Sequence, residues 1–311
     1  MEHKKGSGLS IERIEKRGRF RLSAGVLPAT GANLVSFRVD DRELLFWDAR
    51  AFRERGRHTG AFNMFPTPCR LAGCAYSFEG RRIRQRKRGQ DVFIHGLIRD
   101  EPLEFRNEGA RIVSWLEITP EHPAYEGFPF RCRVSIAHEL DDAGLTVRFE
   151  VRNRDSRNLP FGYGIHPYWR LNGPRRGMRV RIPCENVLES KDLVPTGGYS
   201  PAASAGVDLR QMRSMERFHS DHVFWPRRPG DTAEIEWPAL KLGLTISASE
   251  AFRHMIVYAP PRRRFVCVEN LTCSPNAPNL LSAGHGEVAN LRVVPPGGVA
   301  RAWVRYEPSR L

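Results

Sequence analysis

FRCRVSIA, residues 130–137, sets Phe130, Cys132, Val134 and Ile136 on one face of an extended chain and Arg131, Arg133 and Ser135 on the other. A period of two is the spacing of a half-buried strand, because successive side chains point to opposite faces. GLTVRFEV (144–151) repeats it, with Leu145, Val147, Phe149 and Val151 alternating against Thr146, Arg148 and Glu150. The same pattern runs through IVSWLEI (112–118), MRVRI (178–182), LGLTISA (242–248) and ARAWVRY (300–306). Turn-forming stretches separate these runs: DDAG (141–144), NGPRRG (172–177), TGG (196–198) and PPGG (295–298). Helical periodicity is confined to one short candidate, DLRQMRSMERF (208–218). Many strands, short connections and few helices predict an all-β fold, a large antiparallel β-sandwich. No repeat, low-complexity tract or shift of composition divides the chain, so residues 1–311 read as a single domain with the first dozen residues loosely held.

No stretch approaches the ~20 apolar residues needed to span a bilayer. The N-terminal MEHKKGSGLSIERIEKRGRF has early positive charge without an apolar core, so no secretory signal is expected and the expected compartment is the cytoplasm. Six cysteines occur without a C-x-x-C pair, in a chain too long to need a disulfide framework. The net charge of +14 is densest at RRIRQRKR (81–88) and RRR (262–264). No zinc-finger, RRM or helix-turn-helix signature accompanies it, so solvated strand and loop faces are expected rather than a nucleic-acid surface. Such a balance still favours anionic substrates or surfaces.

Three alternating runs end in an ionisable side chain followed by glycine, proline or asparagine: DVFIHG at His95, FGYGIHP at His166 and RFVCVEN at Glu269. A strand running on through Pro167 loses a ladder hydrogen bond, so His166 is expected at a strand end. Singly, each histidine reads as a hydrogen-bonded structural residue and Glu269 as a turn cap or an ion-pair partner. Together, two imidazoles and a carboxylate form an acid/base set suited to neutral pH. Neither a G-x-S-x-G elbow nor a Gly-rich phosphate loop is present. FHSDH (218–222) clusters His219, Asp221 and His222, but on a strand His222 would oppose the other two, and no metal site is assigned.

These segments resemble the aldose 1-epimerase family, the galactose mutarotases and their relatives. HGLIRD (95–100), GIHPYWRL (164–171) and FVCVENLTCSPNAPNL (265–280) are similar to its histidine-glycine, His-Pro-Tyr-aromatic and late glutamate segments. FPTPCRLAG (65–73) and SDHVF (220–224) resemble its arginine and aspartate motifs. GANLVSFRVDDRELLFWD (31–48) and VVPPGGVARAWVRYEP (293–308) resemble its opening hairpin and closing strands, and all seven come in the family's order.

The resemblance implies a sugar-binding cleft and interconversion of the α and β anomers of an aldose without a cofactor. Glu269 would be the general base and His166 the general acid, with His95, Arg70 and Asp221 holding the sugar. Tyr168, Trp169 or Trp225 would lie against its C–H face, with core packing the commoner role for any one of them. The partner expected is a small-molecule sugar, a hexose or hexose phosphate, with neither nucleic acid nor membrane, and the chain is expected to be a monomer or homodimer. The chain departs from the family at Cys69 (usually asparagine), Asn270 (usually proline) and Trp169 (often phenylalanine). Two other readings remain: a hexose-6-phosphate mutarotase that grips the phosphate with arginines, and a carbohydrate-binding module that has lost turnover.

Overall fold

The structure, a computed structural model, describes residues 10–85 and 91–311. RRIRQRKR therefore continues past the described residues, and the expectation for the first dozen residues falls largely outside them; Glu12 already opens a strand paired in register with Arg21–Leu27.

Two antiparallel sheets carry the chain. The eleven-stranded sheet runs Glu12–Arg17, Arg21–Leu27, Asn33–Val39, Ala61–Met64, Gly164–Arg170, Phe265–Leu271, His254–Tyr258, Asp221–Trp225, Asn186–Lys191 and Val194–Pro201, with Arg42–Glu43 beside Asn33–Val39. The nine-stranded sheet is centred on Cys132–Leu140, Leu145–Asn153, Val299–Arg310 and Leu242–Ala248. The alternation explains the sandwich. Val134, Ile136 and Phe149 of the second sheet bury themselves in one core with Phe37, Ile165, Trp169 and Val268 of the first. Tyr306 bridges the layers, its ring centroid 5.1 Å from Trp169 and 6.5 Å from Phe37. The antiparallel sandwich expected from the strand pattern is the fold observed.

The outer face of the larger sheet has its own apolar cluster. Phe62, Met64, Val223, Trp225, Ile256 and Leu271 pack there under the short helix Ala277–Ser282, through Ala277 and Leu280. Alternation thus sends one set of side chains from each strand into the sandwich and the other set toward this second surface.

Residues 208–218 form no helix. Arg213–Ser214 instead pairs with Arg179–Arg181 at the edge of the nine-stranded sheet. Of its four apolar residues, spaced three apart, Leu209, Met215 and Phe218 are buried and Met212 is half-buried, a pattern that an irregular chain meets as well as a helix. Backbone pairing with an otherwise open sheet edge then decides the conformation. No helix among the described residues is long and apolar enough to cross a membrane. Cys132 and Cys267 are buried, as their place in alternating runs predicts, and no disulfide joins any of the six cysteines.

His138 shares the inward face of its strand with Val134 and Ile136 and is fully buried, and neither ring nitrogen has a partner among the described residues. Burial holds its pKa down to about 3. In the unfolded chain the ordinary value is about 6.5, so between the two the unfolded state carries a proton that the folded state refuses. Stability contributed by the neutral ring is therefore whole above about pH 6.5 and lost on acidification at up to about 1.4 kcal/mol per pH unit. His138→Leu is expected to flatten the acid limb of a Tm-against-pH curve without lowering Tm at pH 8. An acid slope identical to the wild type would assign the effect to other groups.

Candidate active site

Glu269 lies inside the strand Phe265–Leu271 rather than at its end, on the same face as Phe265 and Cys267. The neighbouring strand Gly164–Arg170 likewise runs through His166 and Pro167. Pro167 is tolerated because no bridge to Phe265–Leu271 forms at His166 or Pro167; the ladder resumes at Tyr168↔Cys267 in the register set by Ile165↔Asn270. On its other side the strand keeps pairing, His166↔Phe62 and Pro167↔Ala61. That register places His166 level with Glu269. Their side chains meet across the gap, His166 Nε2 3.1 Å from Glu269 Oε1. Two residues remote in sequence are therefore cross-strand neighbours.

Around this pair is a hollow of about 260 Å³, to which Arg70, His95, His166, Asp221 and Glu269 all contribute. The structure thus gathers the five residues singled out in the sequence into one cleft. His95 follows the strand Val92–Ile94, at a strand end as expected, with φ at +68°. Its Nδ1 lies 3.2 Å from Met64 Sδ, and its ring stands edge-on to His166 with centroids 5.3 Å apart. Arg70 opens the strand Arg70–Ala72, which pairs with Val92–Ile94. Asp221, the first residue of Asp221–Trp225, sits at the exposed rim. The other members of FHSDH turn elsewhere: His219 is exposed, and His222 Nδ1 is 3.1 Å from Ser220 Oγ.

Of the three candidate sugar platforms, only Tyr168 lines the cleft, its ring stacked on His166 at 4.7 Å and 11°. Trp169, one residue on, faces the sandwich interior, and Trp225 packs against Tyr199 at 4.9 Å. Tyr258 and Ile256 also line the cleft, although neither carries an ionisable pattern that marks it in the sequence. The signal the sequence holds for them is their alternation in HMIVY, on the strand beside Glu269. Cys69, in place of the family's asparagine, holds Sγ 3.7 Å from Glu269 Oε2.

Leu193 overhangs the mouth from a two-residue hairpin loop. Asp192 and Leu193 both have positive φ, 52° and 62°, where asparagine or glycine is the usual occupant. A branched side chain kept in the left-handed region at a cleft mouth is strain of the kind found at ligand sites.

The pair is buried: Glu269 is 1% and His166 5% exposed. Burial raises the Glu269 carboxyl well above the usual range, and the negative charge of Asp221 adds to this. Burial lowers His166 to about 3. Both directions disfavour charge and so favour an uncharged acid beside an uncharged imidazole, sharing one titratable proton. His95 is likewise held neutral by burial and by the neighbouring His166 and Arg99. Asp221 is raised by partial burial, against the opposing pull of Arg70. Among the described residues, no group of three or more His, Cys, Asp or Glu is arranged to hold a metal ion.

Comparison with known proteins gives three further findings. The model of a family described as aldose 1-epimerase matches residues 21–307. The Escherichia coli K12 protein YihR, itself uncharacterized, is 22% identical over 220 residues, 70% of each chain. Among solved structures, a galactose mutarotase-like protein from Clostridium acetobutylicum superposes with a TM-score of 0.81 at 16% identity, covering 98% of this chain and 100% of that one. An aldose epimerase homologue from C. elegans gives 0.81 at 15% identity, over 97% and 100%. At such identities the likeness is one of fold.

Proposed function

As the chain belongs to the aldose 1-epimerase family, we propose that it interconverts the α and β anomers of an aldose by acid/base ring opening and closing, with Glu269 and His166 as the proton-transfer pair. The observation that carries this reading is their contact at 3.1 Å inside a sugar-sized hollow. Ring opening removes the proton on O1 and delivers one to O5 as the C1–O5 bond breaks. Both oxygens are bonded to C1, so a base and an acid standing abreast on adjacent strands reach both.

The proton count also fits. Glu269 takes the O1 proton and His166 gives one to O5, which needs a carboxylate, an imidazolium and one proton between them. Without a bound sugar, burial favours that proton in the uncharged arrangement. Sugar hydroxyls that donate to Glu269 favour its carboxylate, and the proton passes to His166. Rotation about C1–C2 turns the other carbonyl face, and on closure the two residues exchange roles. Arg70, His95 and Asp221 hold hydroxyls by hydrogen bonds, the charged two by the stronger charge-assisted kind. Tyr168 offers its ring to the C–H face. The steps are proton transfers, so the reaction is written without a cofactor.

The test is to dissolve crystalline α-glucose or α-galactose and follow the anomer ratio by NMR or polarimetry. The protein is expected to shorten equilibration well below the spontaneous time. Sugar binding with every tested aldose, neutral or charged, left at its spontaneous rate would make the chain a binding module instead.

A further inference from the structure

The turn between His254–Tyr258 and Phe265–Leu271 carries the basic run Arg262, Arg263 and Arg264 and joins the strand of Tyr258 to that of Glu269. These arginines face a second hollow of about 420 Å³, to which Arg57 and His58 also contribute. Tyr168 and Tyr258 line both this hollow and the cleft, so two aromatic rings form the wall between the spaces. Tyr258 registers both sides: burial raises its phenol, as does Asp221 on the cleft side, while Arg263 and Arg57 pull it down.

Three features set this hollow apart from an ordinary solvated basic face. Among the described residues, the side chains of Arg57, Arg262, Arg263 and Arg264 form neither ion pair nor hydrogen bond, unlike Arg181, Arg228 and Arg301, which pair with Glu234, Glu185 and Glu150. Asp48, the carboxylate in the wall, is already engaged as the acceptor for Ala51 N at 2.9 Å. His58, its side chain 4% exposed, has Nε2 2.5 Å from Asp100 Oδ1, while its Nδ1 is buried without a partner. Four guanidinium groups without an ion-pair partner, against the one carboxylate of Asp48, concentrate positive potential around the concavity and offer forked donors to an oxyanion.

We propose that this second hollow is a subsite for an anionic substituent, a phosphate, sulfate or carboxylate, on the sugar whose anomeric end lies at Glu269 and His166, so that the preferred substrate is a negatively charged aldose. The inference rests on the mutarotase reading above and gives it a substrate class.

The test compares glucose, glucose 6-phosphate and glucuronate by NMR anomer exchange, so that phosphate and carboxylate are separate arms. At least one charged sugar is expected to exceed glucose in kcat/KM by about tenfold or more, mainly through KM, the gain of one charge-assisted contact pair. In an Arg57→Ala/Arg263→Ala double variant that ratio is expected to fall toward one. Both side chains are exposed, and an unchanged Tm checks the fold. A ratio near one in the wild type, or one that survives the double variant, overturns the proposal. If no aldose is accelerated, the mutarotase reading fails separately, and calorimetry with glucose 6-phosphate decides the subsite. Binding about tenfold weaker in the double variant upholds it; equal or undetectable binding overturns it.

Discussion

Glu269→Gln is expected to lower kcat/KM for anomer interconversion by about 10² to 10⁴, and His166→Ala by a similar factor, since each removes one of two coupled proton transfers. The glutamine fills the same space and still hydrogen-bonds, so the loss isolates proton acceptance from packing. Because the two residues act as one unit, 3.1 Å apart, the double variant is expected to be scarcely worse than either single one. Independent roles would instead multiply the two losses.

Stability should move the other way. A carboxyl buried to 1% exposure is expensive to hold, and a neutral amide in its place is expected to leave Tm equal or raised. Activity within about tenfold of wild type in Glu269→Gln would remove the carboxylate from the mechanism.

The strand pattern made the sandwich legible because burial on one face of a sheet prints a period of two, and that signal is local. Glu269, His166, His95, Arg70 and Asp221 were legible as a set only through short motifs in a recognised order; their meeting depends on strand order, which the motifs do not state. The cross-strand register of His166 with Glu269 is a fact of topology. Two local rules were overridden. Pro167 reads as a strand end because it lacks an N–H, yet the ladder skips that position on one side and holds on the other. Residues 208–218 contain good helix formers, but an open sheet edge at Arg179–Arg181 captures Arg213–Ser214. Tyr258 and Leu193 escaped notice for a different reason. A tyrosine in a buried strand and a leucine in a polar turn acquire meaning only when the cleft beside them is seen.

Gly96→Ala is expected to damage both the fold and the site. Gly96 has φ of +69°, a region that costs an L side chain about 1–2 kcal/mol. A Cβ there would also stand 2.4 Å from the carbonyl oxygen of Phe65 and 2.7 Å from its nitrogen, where only a backbone shift gives room. That carbonyl accepts from Leu97 N at 2.7 Å, and His95 N donates to Cys69 O at 2.8 Å, so the turn is wrapped around the segment that also places Cys69. Pushing it away moves His95 out of the cleft as it strains the fold. A loss of roughly 2–4 kcal/mol in unfolding free energy is expected, with kcat/KM reduced even in the folded fraction. Gly80→Ala is the control: its φ is +75°, but nothing lies within 4 Å of an added Cβ. It should show the dihedral cost alone, about 1–2 kcal/mol, with activity intact. Chemical denaturation of both variants measures the difference. Equal losses would mean that the Phe65 carbonyl yields freely and that glycine is required in HGLIRD only for its backbone angle.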